Sequence, residues 1–142
     1  MSATVWVSDR DAGVRRMFGE LLAEADVLAP EELEQRLAAG GRPDAIVIDG
    51  TQLLELDPRQ RLTVLARPRV LVCTGLLLAS MPMNLISGPG VAVLAKPFCV
   101  EDLEAAVEWV RGAPARLRTE RLPLGALIAR RRSRAGRAMP AR

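Results

Sequence analysis

Four residues able to do chemistry each close a short apolar run. Asp9 follows Thr4-Val5-Trp6-Val7-Ser8, and Asp49 follows Ala45-Ile46-Val47-Ile48. Thr74 follows Val70-Leu71-Val72-Cys73, and Lys96 follows Val91-Ala92-Val93-Leu94-Ala95. Lys96 is the one lysine in 142 residues that include 19 arginines. A lysine kept against that bias marks a place where a compact ammonium serves and a planar guanidinium does not. Each run reads as a buried strand whose last residue is polar. In an open parallel α/β sheet the carboxyl ends of the strands form the ligand site. Two carboxylates, a hydroxyl and an ammonium are therefore expected to converge on one edge.

Other chemistries are excluded or left without material. The chain has no histidine, which removes His-based catalysis, His metal ligands and any Ser/His or Cys/His pair. Cys73 and Cys99 form neither a CxxC pair nor a disulfide framework, and fit a reducing cytosol. The turn Ser8-Asp9-Arg10-Asp11-Ala12-Gly13 is not a glycine-rich phosphate loop. Aromatic residues make up 3% of the chain, too few for a flavin site.

The elements that must position these residues alternate between strand and helix, which predicts βα units around a parallel sheet. Val14, Met17, Phe18, Leu21, Leu22 and Ala25 recur at helical spacing after the first strand. A short second strand is expected over Asp26–Ala29. Pro30 with Glu31 and Glu32 opens a second helix, with Leu33 and Leu37 inward and Gly40-Gly41 ending it. Strand three is Ala45–Asp49. Asp57-Pro58 reads as an N-cap and first helical residue of a helix running to about Arg67. Strand four is Arg69–Thr74, a helix broken near Pro82 is expected over 76–87, and strand five follows Gly88-Pro89-Gly90. A last helix over about Val100–Gly112 carries Val100, Leu103, Val107 and Val110 on one face. Residues 1–112 form one domain, and 113–142 read as an Arg-rich, disordered tail.

The order Asp9, Asp49, Thr74, Lys96-Pro97-Phe98, one on each of strands one, three, four and five, resembles the receiver domain of bacterial two-component response regulators. The resemblance covers roughly residues 3–112 and extends to Val14-Arg15-Arg16-Met17 at the start of the first helix. It implies a three-layer α/β sandwich, a five-stranded parallel sheet of flavodoxin-like order 2-1-3-4-5. It also implies a role in phosphorelay signalling rather than enzymatic turnover. By resemblance, Asp49 accepts a phosphoryl group from a histidine kinase or phosphotransfer protein. Lys96 is its charge partner, Thr74 the switch hydroxyl, and Asp9 with Asp49 the holder of Mg²⁺. A carboxylate is a usable nucleophile, and the transferring group needs cations on its oxygens.

This chain departs from the receiver pattern at three places. Receivers carry two adjacent acids after strand one; here the pair is Asp9-Arg10, followed by Asp11. Arg10 either takes the place of the metal, pairing with Asp49 or a phosphoryl group, or points away and leaves Asp11 to substitute. The Met-Pro that follows the acceptor is replaced by Gly50-Thr51-Gln52-Leu53-Leu54. The aromatic three residues before the lysine is Val93, so the usual coupling of that ring to the Thr74 hydroxyl is lost. Two functions follow: a receiver with an atypical metal site, or a phosphorylation-independent pseudo-receiver that binds and dimerises.

Charge is segregated. Residues 1–112 hold 11 basic and 16 acidic residues, net −5, whereas 113–142 hold nine arginines and one acid, net +8. The tail is read as a solvated basic segment in preference to a nucleic-acid contact, because it has no aromatic for base stacking. The span Val70–Ala95 carries no charge over 26 residues. Pro82, Asn84 and Gly88-Pro89-Gly90 divide it, so membrane insertion is not expected, and the location expected is cytoplasmic. Leu76, Leu77, Leu78, Met81, Met83, Leu85 and Ile86 exceed what one helix face can bury. A homodimer through that segment, strand five and the last helix is expected.

Overall fold

The computed structural model describes residues 3–75 and 88–112. The helix expected over 76–87, its apolar surplus and the Arg-rich segment 113–142 lie outside the described residues.

In chain order the elements are β1 (Val5–Ser8), α1 (Ala12–Leu21), β2 (Asp26–Leu28), α2 (Pro30–Ala38), β3 (Ala45–Asp49), α3 (Gly50–Glu55), α4 (Pro58–Leu65), β4 (Arg69–Thr74), β5 (Val91–Ala95) and α5 (Val100–Val110). The five strands form one parallel sheet in the order β2-β1-β3-β4-β5, the flavodoxin-like arrangement expected from the sequence. The bounds of β3, β4 and β5 coincide with the strands read from the sequence, each an apolar run with a polar residue at its end or just after it. Their unbroken hydrophobicity is what a parallel strand covered on both faces requires. Val7, Ile46, Ile48, Val70, Leu71, Val72 and Val93 are fully buried within the sheet.

Right-handed crossovers decide the layers. The step from β1 to β2 runs opposite to the steps from β3 to β4 to β5, so α1 lies on the other face from α2 and α4. α5 joins α1: the Arg111 guanidinium donates to the Leu21 carbonyl, and the Phe18 and Phe98 rings meet edge to face with centroids 5.8 Å apart. α2 and α4 touch each other on the opposite face. The direction of winding reverses between β1 and β3, and that switch point opens a crevice at their carboxyl ends.

The helix ends follow local chemistry. Asp57 caps α4, its Oδ1 accepting from the Gln60 N–H at 2.9 Å, with Pro58 as first residue. α4 stops at Leu65, short of Arg67, because Pro68 disfavours helical backbone at the residue before it. α1 ends at Leu21, which is left exposed while Leu22 turns into the core. α5 closes on Gly112, whose φ of +94° is the left-handed geometry that glycine adopts without a Cβ penalty. Beside it, Arg69 donates to the Trp109 carbonyl and lies over the Trp109 ring at 5.2 Å. The end of α5 is thereby fixed at the amino-terminal side of β4.

The uncharged span Val70–Ala95 begins and ends as two adjacent strands. Among the described residues no helix is long and apolar enough to cross a membrane.

Candidate functional site

The switch-point crevice gathers Asp9, Asp49 and Lys96. β1 and β3 are neighbours paired Ser8 to Ile48, which brings the residues following them, Asp9 and Asp49, side by side. β5 lies two strands away from β3, yet the length of the lysine side chain spans the gap. Lys96 Nζ donates to Asp9 Oδ2 at 2.9 Å and to Asp49 Oδ1 at 3.0 Å. Both carboxylates are buried and the ammonium is 24% exposed. Burial pulls the Lys96 ammonium towards its neutral form. The hydrogen bonds and charges of Asp9 and Asp49 outweigh this and raise its pKa above the ordinary lysine value. The Lys96–Pro97 peptide is cis.

Asp49 is also the N-cap of α3, a helix that follows β3 without an intervening loop. Its Oδ2 accepts from the Gln52 N–H at 3.0 Å. The Gln52 side-chain amide donates to Ser8 Oγ at 2.7 Å, tying the β3–α3 corner to the end of β1. α3 was not among the elements expected from the sequence. Six residues opening on glycine are too few for a helical period to be read, and the cap belongs to a residue already assigned to a strand. Gln52 and Ser8 were likewise missed, since 44 residues separate them.

Thr74 extends one residue beyond Cys73, the β4 partner of Asp49, and is buried. Its carbonyl accepts from the Lys96 N–H at 2.8 Å. The side chain packs against Gly50: a Cβ there would lie 2.8 Å from Thr74 Cβ and 2.9 Å from its Oγ1. Gly50 is therefore what lets the threonine stand next to the Asp49 backbone. Its position directly after the strand-ending aspartate was the available signal. Cys73, in the same strand, is fully buried, and burial pushes its thiol pKa up, so it is an inert packing residue.

Arg10 faces the site. Its Nε lies 3.9 Å from Asp49 Oδ2, the oxygen that Lys96 does not bind, and its Nη2 is paired closely with Glu55 Oε1 at the end of α3. Asp11 is turned elsewhere: its Oδ1 caps α1 by accepting from Gly13 N–H at 2.7 Å and Val14 N–H at 3.3 Å. Asp9 accepts from the Asp11 N–H at 2.8 Å through one oxygen and leaves the other to Lys96.

Comparison with solved structures assigns the fold. A response regulator receiver domain protein from Bacillus halodurans matches 80% of this chain and 100% of its own, at 19% identity and TM-score 0.57. A response regulator receiver protein from Sinorhizobium medicae matches 79% of this chain and 96% of its own, at 21% identity and TM-score 0.57. The receiver domain of a Francisella response regulator matches 78% and 97%, at 19% identity and TM-score 0.54. No protein-family model and no curated protein sequence matches the chain. The architecture is thus that of response regulator receiver domains. The described part of this chain has the receiver fold.

That fold implies Mg²⁺, a hard cation that demands near-octahedral oxygen ligation. The residues present do not fit it. Asp9 and Asp49 already share the Lys96 ammonium, a guanidinium stands against the second oxygen of Asp49, and Asp11 is committed to α1. The expected Mg²⁺ set of Asp9 and Asp49, with Asp11 as the substitute, has no support in this arrangement.

Proposed function

We propose that this chain is a receiver module of two-component signalling, a stoichiometric phosphoryl acceptor and not an enzyme, with Asp49 as the acceptor. The observation that carries the reading is the hydrogen-bonded cluster Asp9–Lys96–Asp49 at the switch point of a receiver fold. The donor is a phosphohistidine on a histidine kinase or phosphotransfer protein. An Asp49 carboxylate oxygen attacks phosphorus, the P–N bond breaks, and the imidazole nitrogen leaves with the electron pair and takes up a proton. Lys96 meets the charge spread over the phosphoryl oxygens, and Thr74 supplies the hydroxyl. A cytoplasmic location and a homodimer involving 76–87 belong to the same reading.

Incubation with acetyl phosphate followed by intact-mass measurement tests it. One phosphoryl adduct on the native chain and none on a folded Asp49→Asn variant is the expected result. No adduct on the native chain or on any folded variant sinks it.

A second reading, a pseudo-receiver that binds partners without phosphorylation, draws on one specific observation. Asp49 already has Lys96 on one oxygen, with Gln52 N–H and Arg10 on the other. An interaction with its partner that is unchanged in Asp49→Asn would favour it.

A further inference from the structure

We infer that Arg10 is the site's own second cation, held ready by Glu55, and that the crevice takes a phosphoryl-type group without a divalent metal. This rests on the reading of Asp49 as acceptor and deepens it.

Charge comes first. Asp9, Asp49 and Lys96 together carry net −1, so an arriving dianionic phosphoryl group meets a site of its own sign. Arg10 removes that deficit once it leaves Glu55, whose carboxylate in the resting pair returns the group to net −1. Position comes second. Lys96 binds Asp49 Oδ1, and Arg10 Nε lies 3.9 Å from Asp49 Oδ2, so each carboxylate oxygen has its own cation. A guanidinium presents five N–H donors in a planar fork that matches two phosphoryl oxygens at once. It also repels a divalent ion at short range.

Glu55 supplies the control. It sits in the last position of α3, whose first turn is capped by Asp49 itself, so cation and nucleophile are referenced to one short helix. The Arg10 and Glu55 side chains are 50% and 62% exposed. Exchange of the guanidinium from Glu55 to an incoming anion is therefore a movement of solvated groups, with no buried charge uncovered. Glu55 competes with the phosphoryl group for Arg10, and its removal frees the cation.

The test uses the whole chain and acetyl phosphate, read by intact mass in EDTA and in millimolar Mg²⁺. The carboxylate attacks phosphorus, the bond from phosphorus to the acyl oxygen breaks, and acetate leaves with the electron pair. Native protein is expected to form the Asp49 adduct at the same rate, within twofold, in both buffers. Arg10→Ala should slow it at least tenfold in EDTA, Glu55→Gln should speed it severalfold, and Arg10→Asp should make it Mg²⁺-dependent. Calorimetric titration should show saturable Mg²⁺ binding to Arg10→Asp and none to the native chain. Both Arg10 and Glu55 are solvent-facing, and circular dichroism confirms that the variants fold.

A native adduct that requires Mg²⁺, or an Arg10→Ala variant as fast as native in EDTA, overturns the inference and leaves Asp49 as acceptor. An adduct on Arg10→Asp with Mg²⁺ but none on the native chain makes Arg10 a blocker, which also overturns it. No adduct on any folded variant removes the acceptor reading, and this inference with it.

Discussion

Lys96 holds Asp49 from two strands away, its Nζ 3.0 Å from Asp49 Oδ1 while a second bond reaches Asp9. One ammonium thus bridges two carboxylates that the sheet has placed side by side. Removing it leaves buried Asp9 without a cation and Asp49 with only Arg10, at 3.9 Å. Lys96→Met should destabilise the domain by about 3 kcal/mol, the cost of breaking a buried pair by deleting one partner. Urea unfolding measures it, and a loss under about 1 kcal/mol would show that water already screens the cluster.

The same cluster sets an alkaline limit. Lys96 has a raised pKa in the folded protein, so its stabilisation is fully present below the ordinary lysine value of about 10.4 and is lost as pH rises through the folded value. The buried Cys73 thiol adds a loss that starts lower, near its unfolded value of about 8.5. The difference in urea midpoint between native and Lys96→Met should be flat from pH 7 to 9 and shrink above pH 10.5. A difference that instead persists unchanged at the highest pH would contradict the assigned charge state.

Cys73 and Cys99 should separate by reactivity. Cys73 is buried with its thiol held protonated, and Cys99 is partly exposed at the start of α5. A thiol reagent should modify Cys99 first and reach Cys73 only on unfolding. Equal rates at both in native buffer would mean that β4 opens readily.

Gly50→Ala should cost about 1–3 kcal/mol, the usual range for overpacking, because the new methyl meets Thr74 at 2.8 Å. Adduct formation should fall with it, since relief comes from moving either the Thr74 side chain or the Asp49 backbone. Thr74→Ala combined with Gly50→Ala removes the 2.9 Å contact with Oγ1 but keeps the 2.8 Å contact with Cβ, so it should recover only a small part of the stability and none of the adduct, a pattern that a purely structural role for Thr74 would not give.

Asp11→Ala should lose about 1 kcal/mol, the worth of an N-cap, with the response to Mg²⁺ unchanged. A Mg²⁺ effect that disappears in this variant would return Asp11 to the metal site.

How much of this was legible beforehand depends on range along the chain. Strand bounds at Ala45–Asp49, Arg69–Thr74 and Val91–Ala95 could be read because a strand buried on both faces writes its whole length in apolar residues. The grouping of Asp9, Asp49 and Lys96 could be expected because strand ends in a parallel sheet share an edge. The pairing of Arg10 with Glu55 could not, since 45 residues separate them and either side chain is ordinary on a surface. Leu21 fits the helical period of α1 yet is exposed, because the helix ends there and the chain turns before its neighbours can cover it. Periodicity reports which face a residue occupies, and a helix end changes what lies over that face.

The anchoring of Gly112 has a practical side. Arg69 at the start of β4 grips the Trp109 carbonyl, so the chain leaves α5 at the opposite end of the sheet from Asp49, about one strand length or roughly 17 Å away. Residues that contact Gly112 directly are therefore separated from the crevice by the length of the sheet, and a label placed at Gly112 reports on the far end of the domain from Asp49.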